Sequence, residues 1–404
     1  MTEPLVVIGN GMAAARFVDD LCEQALGRYA VAVVGEEPRL AYNRVMLSSV
    51  LAGEVAASEI DLKPAAWWEA RGVTLLYGQA AVAIDPTIRR VRLASGATLP
   101  YGRLVLATGS RPIRPSVPGI DLPGVMTFRD LADVSAIAAA GAAQRTAVVI
   151  GGGLLGIEAA YGLARAGADV MLVHLMDRLM ERQLDARAAA LLKQAIEAKG
   201  VTVLLGAETT RIDGKNRAEA VVLADGRVLP ADLVVAAIGV RPHVELARSA
   251  GVAIDRGVLV DDRLTTSVAG IHAIGECAQH RGQCYGLVEP AYEQARVLAT
   301  HLAGRPAAYG GSVVATNLKV SGVRVFSAGD FLGAPGTEQV VLSDTGFGTY
   351  KKLVLAGNRL VGAVLYGETN DAAWYLELIR TGTAIDHIRD ELMFGRAAAE
   401  RKAA

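Results

Sequence analysis

Short apolar runs alternate along the chain with alanine-rich stretches of helical spacing, a pattern that predicts parallel sheets built from βαβ units. Leu5–Ile8, Ala30–Val34 and Leu104–Ala107 are apolar at every position, so they read as strands covered on both faces. Met12–Ala25 has the spacing of a half-buried helix. A second set starts at Ala147. Strands at Ala147–Ile150, Val170–Val173, Val201–Leu205 and Leu233–Ile238 bracket helices at Leu154–Ala166 and Ala186–Lys199, with Gly200 placed to stop the second helix. Between the last two strands the chain alternates and turns at Asp225-Gly226, a hairpin signal. The stretch "SGATLP" from Ser95 is its counterpart in the first set.

The sets are joined by "RPIRPSVPGIDLPG" from Arg111, whose prolines and glycines mark a link. "GVRPH" (Gly239–His243) closes the second set, and "TTSVAGIHAIGECA" (Thr265–Ala278) looks like a return to the first. From about Val320 the texture changes to alternating strands, predicting a small antiparallel sheet followed by a helix over Asp371–Thr381.

Composition narrows the class. At 404 residues the chain can bury two or three cores. Hydrophobic residues make up 52% of it, but much of that is alanine. No stretch of about 20 residues is free of charges and turn residues, so no transmembrane helix is expected. The N-terminus shows no basic leader before an apolar core. A formal net charge of −1 gives no electrostatic case for nucleic acid. Cys22, Cys277 and Cys284 form no CxxC or CxxxxC pair, which predicts a reducing, cytoplasmic setting without a disulfide framework or a thiol redox centre. They are too few to ligate an iron–sulfur cluster by thiolates alone, so any cluster is expected on another chain and no metal site on this one.

Two glycine strings carry the chemistry. Gly9-Asn10-Gly11-Met12-Ala13-Ala14 fits G-x-G-x-x-G/A between a strand and a helix. Gly9 permits the tight turn, Gly11 lets the backbone approach a pyrophosphate at the helix N-terminus, and Ala14 allows close packing of helix on strand. The next strand ends in Gly35-Glu36-Glu37, where a carboxylate can accept from ribose hydroxyls; Glu36 is the first choice and Glu37 the alternative. Gly151-Gly152-Gly153-Leu154-Leu155-Gly156 is the full motif, with Gly151, Gly153 and Gly156 in the same roles. Its second strand ends in His174 rather than an acid. His174 is either a ribose ligand, weaker than a carboxylate, or a surface residue at the strand end. Arg178 and Arg182 follow and can favour a 2′-phosphate, so these residues leave NADH and NADPH open.

The two cradles, with "LATGSRP", "AIGVRP" and "IHAIGE", resemble the two-dinucleotide flavoprotein oxidoreductases of glutathione, ferredoxin and rubredoxin reductase type. The likeness spans roughly residues 4–310 and implies FAD in the first cradle and NAD(P)H in the second. Longer strings are more specific. "YNRVMLSSVLAGE", "VHLMDRLMERQLD", "GECAQHRG", "YGLVEPAYEQA" and "LKVSGVRVFSAGDF" resemble the flavoprotein part of NAD(P)H nitrite reductase large subunits and the reductase subunits of assimilatory nitrate or nitrite reductases. Relatives sharing "VHLM" are mostly NADH-linked, which favours NADH.

The resemblance implies an α/β fold with two Rossmann-like dinucleotide-binding domains and a small C-terminal α+β domain. Residues 1–112 and 243–319 would form the FAD domain, 113–242 the NAD(P)H domain and 320–404 an interface domain. Beside the cradle residues it puts Ala107, Thr108, Gly109, Arg129, Gly239, Gly275, Glu276 and Glu289 at the cofactors, with Glu276 where aspartate is commoner. Ser49 stands where disulfide-reducing relatives carry cysteine. A hydroxyl forms no sulfenate and exchanges no disulfide, so the flavin alone is the expected reactive centre. Asn43 and Arg44 would lie near the isoalloxazine, although Arg44 can equally serve as a surface ion-pair partner. Glu158 would position the nicotinamide; the plain alternative is a first-turn glutamate favoured by the helix dipole. Lys319 is a flavin-side or partner-side candidate, Cys277 a buried inert thiol, and Trp67–Trp68 a helix anchor. The activity implied is electron transfer from NADH through flavin to a separate acceptor. That acceptor would be an iron–sulfur, molybdenum or siroheme-containing reductase subunit, or a rubredoxin-like or ferredoxin-like protein, and the chain would not reduce nitrate or nitrite by itself. An NADH-sensing flavoprotein without turnover is the alternative of another class.

Overall fold

The apolar run at the start of the chain becomes the strand Glu3–Ile8, in the middle of a five-stranded parallel sheet. The computed structural model describes residues 2–141, 146–320, 322–344 and 346–403, with side chains except at 141, 317–320, 402 and 403. The chain divides into two units, Met1–Ile113 with Val240–Ser312, and Arg114–Gly239 with Val313–Ala404.

In the first unit the sheet runs in the order Ile271–Ala273, Arg103–Leu106, Glu3–Ile8, Tyr29–Gly35, Thr74–Tyr77. Period-two geometry sends Leu5 and Val7 to one face and Val6 and Ile8 to the other, and each face has its own core. On the first face the helices Met12–Ala25 and Val288–Leu302 share a core of Phe17, Val18, Leu21, Ala295, Leu298 and Leu302. On the second lie Ile84, Val91 and Leu93 of a small antiparallel sheet (Ala81–Asp85, Arg90–Leu93, Thr98–Pro100). Trp68 is 1% exposed and anchors the short helix Ala65–Glu69 in the first core.

The second unit repeats the plan. Its parallel sheet runs Val201–Leu204, Asp169–Val173, Thr146–Ile150, Leu233–Ala236, Val125–Thr127, with the helices Leu154–Arg165 and Ala186–Glu197. In both sheets the following strand lies on one side of the middle strand and the returning strand on the other. The carboxyl end of the middle strand is therefore a topological switch point, where open α/β sheets bind ligands. The hairpin expected at Asp225-Gly226 joins Ala220–Leu223 to Val228–Pro230, and Gly226 takes a φ of +88° that a side chain would resist.

The same unit holds a five-stranded antiparallel sheet in the order Ala315–Val320, Val323–Gly329, Arg359–Tyr366, Thr349–Ala356, Glu338–Asp344, covered by the helix Ala372–Thr381. Thr349–Ala356 is buried on both faces yet carries Lys351 and Lys352. Lys351 Nζ donates to the Met393 carbonyl at 3.1 Å and to Tyr375 Oη at 3.3 Å. Lys352 Nζ donates to the Leu332 carbonyl at 3.3 Å and lies 3.7 Å from Asp185. Asp185 also accepts from Tyr350 Oη at 2.6 Å and caps Ala186–Glu197 by accepting from the Ala188 N–H at 2.9 Å. Burial, then the bond to Asp185, pushes the Tyr350 hydroxyl well above its usual range. Among the described residues, no helix is long and apolar enough to cross a membrane.

Asp185→Ala removes the cap, the counter-ion of a buried ammonium and the acceptor of a buried hydroxyl. The expected loss is about 3–5 kcal/mol, read by denaturant unfolding; a loss below about 1 kcal/mol would show the cluster to be energetically idle. A second prediction concerns pH. His272, in the first unit's sheet, is pushed down to about 4 by burial first and then by His301 and Arg103. The unfolded chain takes up this proton near the ordinary value of 6.5 while the folded chain does not. Stability that is complete above pH 6.5 is therefore lost as pH falls toward 4, by about 3 kcal/mol. Unfolding midpoints across that window should flatten in His272→Gln; an unchanged slope would assign the acid sensitivity elsewhere.

Candidate nucleotide-binding cradles

Gly9 follows the middle strand of the first unit with φ +114°, and a Cβ there would stand 2.1 Å from the Ala107 carbonyl oxygen. Only glycine fits. Gly11 is different: it is extended, it begins the helix Met12–Ala25, and a Cβ on it would meet nothing within 4 Å. No side chain caps that helix, and its first turn holds no acidic residue. The space beside Gly11 thus adjoins the positive end of a helix, an environment that favours an anion. Ala14 is buried at 1% exposure, its methyl already in the core.

Of the other predicted residues of this unit, Ala107, Thr108 and Gly275 lie against the same turn. A Cβ on Gly275 would stand 3.0 Å from Ala13 Cβ, and the Gly275 N–H donates to the buried Gln294 Oε1 at 2.7 Å. Glu276 accepts from Ser110 Oγ at 2.6 Å. The stretch Ala107–Gly109 that follows the returning strand is tied down residue by residue. Ala107 N–H donates to Ile8 O at 2.7 Å, Thr108 Oγ1 to His243 O at 2.8 Å, and His243 N–H to Gly109 O at 2.9 Å. Burial, then the Arg111 charge, holds the His243 imidazole below its ordinary value. Cys277 is fully buried, and burial pushes its thiol up, away from the reactive thiolate. Glu289 sits in the first turn of Val288–Leu302.

At the acidic strand end, Glu37 is engaged: it accepts from Tyr42 Oη at 2.7 Å and pairs with Arg44, whose guanidinium lies 4.9 Å over the Tyr42 ring. Glu36 is exposed. Asn43 spends its side chain accepting from the Val45 N–H at 3.1 Å, capping the turn Arg44–Met46. Ser49 lies in the short helix Leu47–Leu51 that follows. The Asn10 Oδ1 is buried without a hydrogen-bond partner among the described residues, an acceptor left over beside the open turn.

In the second unit Gly151 has φ +122°, and its Cβ would stand 2.3 Å from the Ala237 carbonyl oxygen. A Cβ on Gly156 would stand 1.8 Å from Gly151 O. Gly153, like Gly11, meets nothing within 4 Å and begins an uncapped helix, Leu154–Arg165, whose first residues are Leu154 and Leu155. Glu158 is half-buried and lies beyond the first turn, so it is not the dipole-favoured first-turn glutamate of the plain reading. Nor is His174 a surface residue: its side chain is 11% exposed. The Gly152 N–H donates to Nδ1 at 3.0 Å, and Nε2 lies 3.1 Å from Glu181 Oε2. Arg178 pairs with Asp177 at 3.2 Å, while the Arg182 side chain is 87% exposed. Arg129 precedes the helix Leu131–Gly141 and gives its N–H to Asp133 at 2.7 Å. Gly239 follows the returning strand with φ +122°. The Lys319 side chain lies outside the described residues. Among those residues, no cluster of His, Cys, Asp and Glu could hold a metal ion, and Cys22, Cys277 and Cys284 are free thiols.

Ser110 and His243 stood inside motifs already singled out, but their partners come from distant chain and carried no local signal. Gln294 and Glu181 lay inside the quoted strings "YGLVEPAYEQA" and "VHLMDRLMERQLD", but nothing in the strings pointed to these two positions.

Residues 3–297 match the model of the family described as pyridine nucleotide-disulphide oxidoreductase. The chain belongs to that family. Residues 315–383 match the rubredoxin NAD+ reductase C-terminal domain. This oxidoreductase is 43% identical over 93% of its length to a Bacillus subtilis nitrite reductase [NAD(P)H], of which it covers 47%. It is 41% identical over 91% of its length to the assimilatory nitrate reductase electron transfer subunit of the same organism, covering 48% of it. The chain thus spans about half the length of these curated relatives. The crystal structure of the ferredoxin reductase for the CYP199A2 system from Rhodopseudomonas palustris superposes with a TM-score of 0.90 at 26% identity, covering all of both chains. Membership makes the oxidoreductase a flavoprotein that binds FAD and NAD(P)H. The open helix starts at Gly11 and Gly153 fit the pyrophosphates of such cofactors.

Gly153→Ala separates the two kinds of glycine. Space exists for its methyl, so unfolding should change by no more than about 1 kcal/mol. Yet the methyl would enter the open cradle, and NAD(P)H affinity measured by calorimetry should fall about tenfold or more. Undiminished affinity would remove Gly153 from the site.

Proposed function

We propose that this oxidoreductase is the NADH-linked electron-transfer component of an assimilatory nitrate or nitrite reductase, delivering electrons to a separate redox partner. The reading is carried by the two equivalent cradles, each a glycine turn opening an uncapped helix at a switch point. The specific pathway is supported by relatives at 41–43% identity over more than nine-tenths of the chain.

Each residue then has a task. The N–H groups at Gly11, Met12 and Ala13 hold the FAD pyrophosphate, and Glu36 accepts from its ribose, Glu37 being occupied by Tyr42 and Arg44. Thr108, Gly109, Gly275 and Glu276 line the flavin side, with Ser110 and Gln294 fixing the loop that carries Glu276. The N–H groups at Gly153, Leu154 and Leu155 hold the NADH pyrophosphate, and Glu158 orients the nicotinamide carboxamide. FAD, when bound, supplies hydride acceptance and stepwise electron release; the protein supplies position and a charged environment. Arg44, kept in place by Glu37 and the Tyr42 ring, contributes positive charge beside Asn43.

A stand-alone ferredoxin or rubredoxin reductase is the second reading, favoured by the C-terminal match over residues 315–383. Both readings require the same first half-reaction. On anaerobic rapid mixing of the FAD-loaded chain with NADH, the visible flavin absorption should bleach at about 1 s⁻¹ or faster. A flavin that stays oxidised for minutes sinks the reductase assignment. Reoxidation by the catalytic chain of a nitrate or nitrite reductase, against a ferredoxin or rubredoxin, then chooses between the two partners.

A further inference from the structure

We propose that Glu181, held in place by His174, reads the adenosine ribose in the second cradle and makes this oxidoreductase choose NADH over NADPH. The inference rests on the NADH reading above and assigns it to a residue outside the strand end where an acid normally does this work.

The argument starts from a backbone N–H. Gly152 donates to His174 Nδ1 at 3.0 Å, so that nitrogen carries no proton. The neutral ring must then hold its proton on Nε2, which donates to Glu181 Oε2 at 3.1 Å. Both ring nitrogens are taken, and the ring is almost buried. What the strand end offers outward is the carboxylate on the far side of the imidazole, carried seven residues further along the chain. His174 thus acts as a spacer that moves an acidic group from the strand end to the ring's outer edge. Glu181 is partly open, its side chain 22% exposed, so its remaining acceptor capacity is accessible. A ribose diol donates well to such a group; a 2′-phosphate placed there meets like charge. Of the two arginines, Arg178 pairs with Asp177, and Arg182 makes a long ion pair with Glu181 Oε1 at 3.8 Å that solvent screens, its side chain being 87% exposed.

Gly152 supports the same device. A Cβ on it would stand 2.6 Å from two atoms of the His174 ring, so the middle glycine of the string is needed by the imidazole rather than by a pyrophosphate.

The test uses the FAD-loaded 404-residue chain and two probes that lack nicotinamide and so cannot react, ADP-ribose and 2′-phospho-ADP-ribose, titrated by calorimetry. The wild type should prefer ADP-ribose by about tenfold or more. Glu181→Gln, isosteric and on a partly open side chain, should bring the two affinities to within about threefold, weakening the first and strengthening the second. His174→Gln should narrow the ratio in the same direction, because the carboxylate loses its support. A ratio unmoved by Glu181→Gln, including an equal loss for both probes, overturns the inference and leaves the NADH reading standing. A wild type that prefers the 2′-phosphorylated probe overturns the NADH reading itself.

Discussion

In each unit the first glycine of the cradle stands so close to the carbonyl ending the returning strand that no side chain fits between them. The gaps for a Cβ are 2.1 Å at Gly9 against Ala107 and 2.3 Å at Gly151 against Ala237. Everything local depends on this approach. It lets the turn leave the middle strand at the sheet's carboxyl edge, it sets φ beyond the reach of other residues, and it aims the following helix so that its N-terminus opens on the switch point. The two cradles differ at the last position of the motif as well as at the strand end. The first carries the methyl of Ala14 at the helix–strand contact, whereas at Gly156 even a methyl would overlap the Gly151 carbonyl.

The cradle helices are built less stably than the chain could build them. Ala186–Glu197 has an aspartate cap on its first turn, and that aspartate is also bonded to the C-terminal sheet. Met12–Ala25 and Leu154–Arg165 have none. A serine or aspartate at Gly11 or Gly153 would add only roughly a few tenths of a kcal/mol of helix stability, and its side chain would take up N–H groups that the proposed site offers to an anion. Val288–Leu302 and Ala372–Thr381 also begin without a side-chain cap, so it is the open space beside Gly11 and Gly153, together with the missing cap, that suits the proposed cradles.

Much of this was legible because it is local. Strands apolar at every position, the helix Met12–Ala25 and the glycine hairpins follow from spacing and turn chemistry within a few residues. Two of the first-unit strands extend by a residue or two beyond the apolar runs, where edge residues join the ladder, and the one expected over Leu104–Ala107 runs one residue earlier, over Arg103–Leu106. What was not legible depends on partners far along the chain. Thr349–Ala356 is buried on both faces, which a pattern reading reserves for apolar residues, yet Lys351 and Lys352 are accommodated by carbonyls and hydroxyls of other elements and, for Lys352, by Asp185. Val288–Leu302 shows no clean stripe because Gln294 faces inward to hold the Gly275 backbone. Nor could spacing rank Glu36 against Glu37: the proposed choice of Glu36 draws on Tyr42 and Arg44, which fold back onto Glu37.

The string "GGG" at Gly151–Gly153 shows how little a motif explains until each position is given its own cause. Gly151 is glycine because a carbonyl leaves no room. Gly153 is glycine although the protein leaves room, which makes the space itself the requirement. Gly152 is glycine because an imidazole lies against it, and that imidazole is present only because the strand ends in His174. A histidine at the strand end therefore does not degrade the fingerprint. Its tautomer is dictated by a cradle N–H, its outer nitrogen is dictated by the tautomer, and the acidic character missing from the strand end reappears one ring-width further out, at Glu181.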